Sequence, residues 1–219
     1  MSLIHCPVCG HAAAQFDPVG VQRPRHNAKC PACGAYERHR LVWWYLCEQG
    51  LVADGMRVLD VAPMPAMARA LQRGFDLQYV SIDSGPRPAG ARMDLERLAF
   101  GQAVFDGIVC MHVLEHVDDD RKALRELARV LRPGAWAVLM VPINERMPHT
   151  DEDPSVTDPA ERERRFGQSD HVRLYGADYL QRCSDAGFRM QVIDMHAQPD
   201  IVARFALLEG EKLFIGWRK

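Results

Sequence analysis

The sequence predicts an α/β chain built on a doubly wound, mostly parallel sheet, preceded by a small segment organised by cysteines. Three observations carry this. From about residue 55 onward, apolar runs alternate with amphipathic stretches, the rhythm of strands and crossover helices. Ahead of them, four cysteines fall into two Cys-x-x-Cys pairs. The 219 residues, 47% of them hydrophobic, suffice for one well-buried domain and an appendage but not for two full domains.

Charge narrows the function classes. With 27 Lys+Arg against 29 Asp+Glu and a formal net charge of −2, the chain is not one that holds nucleic acid over its whole surface by counterion release. No basic segment followed by an apolar run opens it, and no apolar stretch approaches the ~20 residues of a bilayer span. The expectation is a cytoplasmic protein with no membrane partner. In a reducing compartment, clustered cysteines point to metal before disulfides.

The clustered cysteines are Cys6 and Cys9, then, after twenty residues, Cys30 and Cys33, with Gly10 and Gly34 following the pairs. Two thiolates separated by two residues reach one tetrahedral ion, and the trailing glycine lets the turn fold back so that backbone amides face the sulfurs. Two such knuckles make a closed site of four thiolates, which reads as a structural zinc holding a zinc-ribbon-like segment over residues 1–40. His5, His11, His26 and His39 read as surface groups or as neighbours of the ligands. Between Met1 and Cys47, Arg23, Arg25, Lys29, Arg38 and Arg40 stand against Asp17 and Glu37. This patch keeps RNA docking as an alternative to a solvated face.

The main domain, residues 41–219, justifies its elements in turn. A helix runs from after Ala35 to Gly50, with Leu41, Trp44 and Tyr45 on one face and Cys47 as a core thiol. Met56–Val61 is a buried strand, Ala66–Arg73 a short helix, Gln78–Asp83 a second strand, and a short strand precedes Asp94. Phe105–Met111 and Ala135–Val141 are the next strands. Between them a helix capped by Asp118 runs to Leu131, with Leu124, Leu127 and Leu131 as its apolar stripe, stopped by Arg132-Pro133-Gly134. A helix over 178–186, a strand over 188–195 and a last antiparallel strand over 212–217 complete the sheet. Cys110 and Cys183 read as packing thiols.

In such sheets ligands sit outside the carboxyl ends of the strands. The residues there are Asp60 with Ala62-Pro63-Met64, Asp83 with Ser84, and Met111 with His112. An acid ending the second strand suits a ribose, because a carboxylate accepts from both hydroxyls.

The order of these motifs resembles the class I S-adenosylmethionine (SAM)-dependent methyltransferases, in the type 11-like group that includes quinone-biosynthesis methyltransferases. The carrying segments are Val58–Pro63, Ser81–Asp83, Met93–Leu95, Phe105–Val117 and, most specific, Ala123–Gly134; the resemblance spans about residues 55–219. It implies a seven-stranded Rossmann-like methyltransferase sheet. It also implies that Asp60 and the loop of Ala62, Pro63 and Met64 wrap the methionine part of SAM, and that Asp83 and Ser84 hold the ribose. Asp94 and Leu95 would meet the adenine, with Met111 and His112 lining the floor near the sulfonium. The family usually has Gly-x-Gly-x-Gly in the first loop, where this chain has Ala62-Pro63-Met64-Pro65-Ala66, a rigid variant with fewer amide donors.

His112, Glu115 and His116 also fit the H-x-x-E-H pattern of inverted zinc proteases. That reading fails because the motif follows a buried strand and precedes a helix cap, so Glu115 and His116 fall on a turn beside the pocket. Residues 147–165 form a polar insert without apolar periodicity, which reads as a substrate-covering lid. The cluster from Phe166 to Gly176 then offers His171 as a candidate general base with Asp170 to orient it; His112, at the end of its strand, is the other candidate base. Arg173, Tyr175 and His116 are assigned to the substrate, Arg173 for an anionic group. The favoured function is methyl transfer from SAM to a small-molecule oxygen or nitrogen, beside a structural zinc. The alternatives are an RNA methyltransferase docking through the knuckle and a non-catalytic zinc-binding module.

Overall fold

The computed structural model describes residues 3–21, 24–85 and 88–219; Arg23, counted in the basic patch, lies outside them. The chain forms two compact units, Met1–Met56 with Met64–Gln78 and Val192–Leu213, and Arg57–Pro63 with Tyr79–Gln191 and Phe214–Lys219. In chain order the first elements are β1 (Ile4–His5), β2 (Ala12–Ala13), β3 (Asp17–Val19), β4 (Arg25–Lys29) and α1 (Glu37–Glu48). Then come β5 (Arg57–Val61), α2 (Pro65–Gly74), β6 (Gln78–Asp83), β7 (Ala91–Arg92), β8 (Phe105–Met111), α3 (Asp120–Val130) and β9 (Leu131–Met140). The rest are β10 (Asp151–Glu152), α4 (Pro159–Phe166), β11 (Arg173–Leu174), α5 (Tyr179–Asp185), β12 (Phe188–Asp194), a 3-10 turn at Met195–Ala197, α6 (Pro199–Phe205) and β13 (Lys212–Arg218).

The central sheet has the seven strands that the resemblance implies, in the order β12-β13-β9-β8-β5-β6-β7. Strands β5, β8 and β9 pair in parallel, β6 pairs β7 in parallel, and β13 runs antiparallel to β9. Continuous apolar runs such as Phe105–Met111 are what a strand covered on both faces requires. Accordingly Ile108, Val109 and Cys110 are buried. Gly107 has a reason of its own: a Cβ there would lie 2.3 Å from the Trp136 ring on β9. Helix α3 buries Ala123, Leu124, Leu127, Ala128 and Val130.

Several boundaries differ from the sequence reading. The cap of α3 is Asp119, whose carboxylate accepts from the Lys122 amide at 2.9 Å; the carbonyl of Asp118, the expected cap, accepts from Arg173 instead. Arg132-Pro133-Gly134 does not leave the sheet after the helix. It forms a bulge between the pairings Phe105↔Leu131 and Gly107↔Trp136, with Gly134 at φ +75°. The polar insert contains α4, capped by Asp158, and β10, paired with β11. Cys47 is exposed rather than in the core, whereas Cys110 and Cys183 are buried.

In the first unit one side chain organises the packing. Arg40 on α1 is fully buried. Its guanidinium donates to the carbonyls of Ala28 and Ala35, Asn27, and Phe205 and Ala206 at the end of α6, at 2.6–3.1 Å. It also stacks on Phe16, 5.1 Å from the ring centroid. Only a planar five-donor fork can serve so many carbonyls at once. We expect Arg40→Lys, with three donors on a flexible stem, to lower unfolding stability by about 2–4 kcal/mol, read as a shifted urea midpoint with unchanged slope.

Candidate active site

The carboxyl edge of the parallel strands is where the second unit opens. Two residues there hold backbone conformations that a side chain disfavours: Ala62 after β5 at φ +52° and His112 after β8 at φ +55°. Each amide reaches across to a neighbouring strand, Ala62 to the Ile82 carbonyl and His112 to the Met140 carbonyl, both at 2.8 Å. Ala62 opens the loop in which the resemblance leads one to expect glycines. Pro65 sits at the first position of α2, where a missing amide costs nothing. Left-handed conformations of this kind gather at functional sites, where surrounding structure holds them.

A cavity of about 310 Å³ lies at this edge, lined among others by Ala62, Asp83, Ser84, Asp94, Leu95 and His116. Asp83 is the informative residue. Its Oδ1 accepts from the Gly85 amide at 2.6 Å, while Oδ2 is buried without a hydrogen-bond partner. A buried carboxylate oxygen left open is costly unless something completes it, and a sugar hydroxyl has the donor required. Asp94 receives the Glu96 amide at 2.9 Å, which closes the turn holding Leu95 against the cavity.

Other expected cofactor residues stand further back. Asp60 is buried beneath the edge and accepts from the Tyr79 hydroxyl at 2.7 Å. Burial pushes its carboxyl up to about 7, against the pull of the Tyr79 hydrogen bond. Pro63, Met111 and His112 fall outside the cavity lining, and Met64 caps α2 in the first unit.

The loop after β8 is shaped from beneath. Arg173, expected at an anionic substrate, is 3% exposed. Its guanidinium donates to the carbonyls of Leu114, Val117 and Asp118 at 2.6–2.8 Å and to Glu152 at 3.1 Å. Four of its five N–H donors are spent on the protein, so it clamps the loop in place of the open anion site expected of it. Tyr175 is likewise fully buried, donating to Asp120 at 2.9 Å, out of reach of any substrate. Arg182 joins Asp120 to Glu152. Burial raises the Glu152 carboxyl, but the Arg182 and Arg173 guanidiniums outweigh it and hold the group below its usual range.

The histidines pair differently from the sequence reading. Asp170 does not orient His171. Its carboxylate lies 3.4 Å from His116 Nδ1, while His171 Nδ1 faces the Phe166 carbonyl at 3.1 Å. The two imidazoles meet edge to face with centroids 4.8 Å apart. Glu115, which the sequence reading left without a role, is 1% exposed with both oxygens lacking a hydrogen-bond partner. His112 Nδ1 lies 3.2 Å from one of those oxygens without the alignment of a hydrogen bond.

In the first unit the four N-terminal cysteines converge. Cys6 and Cys33 sulfurs are 3.7 Å apart, Cys9 and Cys30 3.8 Å, and all four lie within 4.8 Å of one another. A tetrahedral ion with metal–sulfur bonds of roughly 2.3 Å has edges of roughly 3.8 Å, so the donor set fits one. The two turns match: Gly10 donates to the Cys6 carbonyl and Gly34 to the Cys30 carbonyl, both glycines at positive φ. Burial pushes the Cys33 thiol up to about 11, whereas amides of Cys33 and Ala32 overcome burial to hold Cys30 below its usual value.

The fold and the open carboxyl edge together describe an α/β domain of the class I methyltransferase type. Residues 35–191 match the methyltransferase-domain family, and the chain belongs to it. It is 31% identical over 141 residues to the ubiquinone biosynthesis O-methyltransferase of Bordetella avium, covering 57% of this chain and 54% of that protein. The chain therefore spans about half the length of the curated relatives it matches. Phosphoethanolamine N-methyltransferase 2 of Haemonchus contortus, solved with S-adenosylhomocysteine, superposes with a TM-score of 0.57 at 16% identity over 84% of this chain and 53% of that one. The [4+2]-cyclase SpnF does so with a TM-score of 0.59 at 18% identity over 83% and 81%. These likenesses show the fold, and a cyclase among them shows that the fold alone does not fix the chemistry. No helix among the described residues is long and apolar enough to cross a membrane.

The displaced acidity of Asp60 has a measurable consequence. Its folded-state pKa is raised, so its contribution to stability is complete below about pH 4 and is lost as pH rises through about 7. Asp60→Asn keeps the acceptor for Tyr79 and removes the charge. By urea unfolding the variant should match the parent near pH 4 and exceed it by on the order of 2–4 kcal/mol at pH 8, at 1.36 kcal/mol for each tenfold change in acid strength.

Proposed function

We propose that the chain binds SAM in the cavity at the carboxyl edge of its sheet and transfers the methyl group to a small-molecule acceptor, oxygen or nitrogen, while the four N-terminal cysteines hold a structural zinc. The observation that carries the first part is the open, buried Oδ2 of Asp83 at the end of β6. Family membership supports it, as do relatives whose names specify methyl transfer to oxygen. When bound, SAM supplies an electrophilic methyl group on a sulfonium, displaced in line by the acceptor.

The residues have distinct tasks in this reading. Asp83 accepts from the ribose hydroxyls, with the Gly85 amide fixing its other oxygen. Ser84 extends that grip, Asp94 and Leu95 border the adenine, and Ala62 brings the backbone alongside the methionine part, with Asp60 behind it. Pro63, Met111 and His112 stand outside the lining and take no direct part in this reading. His116 lines the cavity, and with Asp170 against its Nδ1 it is better placed than buried His171 to meet an acceptor. Most of the rate in such a displacement comes from alignment and the exclusion of water. A base matters only for an acceptor that must lose a proton.

Calorimetry tests the cofactor assignment: Asp83→Ala should bind SAM roughly 10–100-fold more weakly, the cost of about 1.5–3 kcal/mol for lost hydrogen bonds to a charged group, with an unchanged circular dichroism spectrum. Parent-like affinity would remove the assignment. For the cysteines, elemental analysis of the purified chain should find one sulfur-held zinc. Cys30→Ser should lose it, and chelation should lower the thermal midpoint of the parent.

A further inference from the structure

We propose that Glu115, His116 and His171 form a second metal site, for a divalent first-row transition ion held by two imidazoles and one carboxylate beside the cofactor cavity. One ligand atom from each of the three lies within 4.8 Å of the others. Bonds of about 2.0–2.2 Å to nitrogen and oxygen require donors some 3.4 Å apart, a contraction within reach of small side-chain rotations.

Three independent features aim these groups at an ion. First, Glu115 Oε1 and Oε2 and His171 Nε2 are buried without hydrogen-bond partners. A buried carboxylate facing an imidazole lone pair is expensive until a cation or proton joins them. Second, both imidazoles carry the support that metal-bound histidines have, the remote nitrogen on an oxygen acceptor. His171 Nδ1 lies 3.1 Å from the Phe166 carbonyl. His116 Nδ1 lies 3.3 Å from the Asp170 carbonyl and 3.4 Å from its carboxylate. A proton on each Nδ1 leaves each Nε2 free to ligate. Third, the scaffold is held in place: the Val172 amide donates to the Glu115 carbonyl at 2.9 Å, which sets the two ligand segments side by side.

Two imidazoles and one carboxylate suit ions of the zinc, cobalt, iron and manganese series, and three protein ligands leave positions for another molecule. His116 also lines the cavity, so those positions face the acceptor side. The role rests on the methyl-transfer reading, though the existence of the site does not. An acceptor hydroxyl on the ion would lose its proton to water more readily. Its oxygen lone pair then forms the O–CH3 bond while the S–CH3 bond breaks, the electron pair staying on sulfur; the ion keeps its oxidation state. The acceptor class implied is an alcohol or phenol.

Cobalt titration of the chelator-stripped full chain tests this. Sulfur-bound Co²⁺ shows intense near-ultraviolet charge-transfer bands, whereas nitrogen- and oxygen-bound Co²⁺ shows only weaker visible bands. The parent should take up both kinds. Glu115→Gln and His171→Asn should each weaken the second by about tenfold or more and keep the first; the partly exposed His116→Ala should do the same should a buried variant misfold. Uptake of the sulfur-bound ion alone, or a second ion indifferent to these substitutions, overturns the proposal. SAM calorimetry run beside the cobalt titration separates the two readings. A protein that binds SAM but takes up no second ion sinks only the metal site, whereas one that takes up the second ion but binds no SAM, loaded or stripped, sinks only the methyl-transfer reading.

Discussion

The site depends on one buried guanidinium. Arg173 gathers the carbonyls of Leu114, Val117 and Asp118, three groups of a turn that has no ladder of its own, and so fixes the path of the chain after β8. Without that clamp those carbonyls would need water, and the turn would have many conformations in place of one. Because Glu152 balances Arg173 and Arg182 together, the charge is not buried alone. The insert that bears β10 is thereby tied to the same clamp. Cavity wall, histidine cluster and insert are in this sense one construction.

Strain and satisfaction are distributed unevenly around that construction. At the carboxyl edge, left-handed backbone sits at Ala62 and His112, the first residues beyond β5 and β8. Unpartnered buried atoms occur at Asp83, His112, Glu115 and His171, all in the second unit and all near its carboxyl edge or the turn beyond it. A protein tolerates such costs where a ligand repays them.

Much of the fold was legible because its signals are hydrophobic. Phe105–Met111 and Gln78–Asp83 are apolar runs that only a covered sheet explains, and their bounds agree with the sequence reading. Helix α4 was illegible for the opposite reason: Phe166 is its one buried residue, so no apolar period marks it. The strands of the cysteine segment run to between two and five residues, too short for alternation to show. In the site, Asp83 could be read from its place after a strand. Arg173 and Tyr175 could not, because an arginine or tyrosine in a polar loop has the same sequence whether it faces a substrate or a buried carbonyl. Glu115 was visible in its motif, yet only the turn's path shows its carboxylate buried between imidazoles.

The carbonyls of Phe205 and Ala206 that Arg40 requires lie some 165 residues along the chain from it. During synthesis the cysteine turns emerge from the ribosome long before those partners exist. The segment that bears Arg40 therefore waits with a charged group uncovered until α6 has been made, so its packing is closed by chain synthesised long after it.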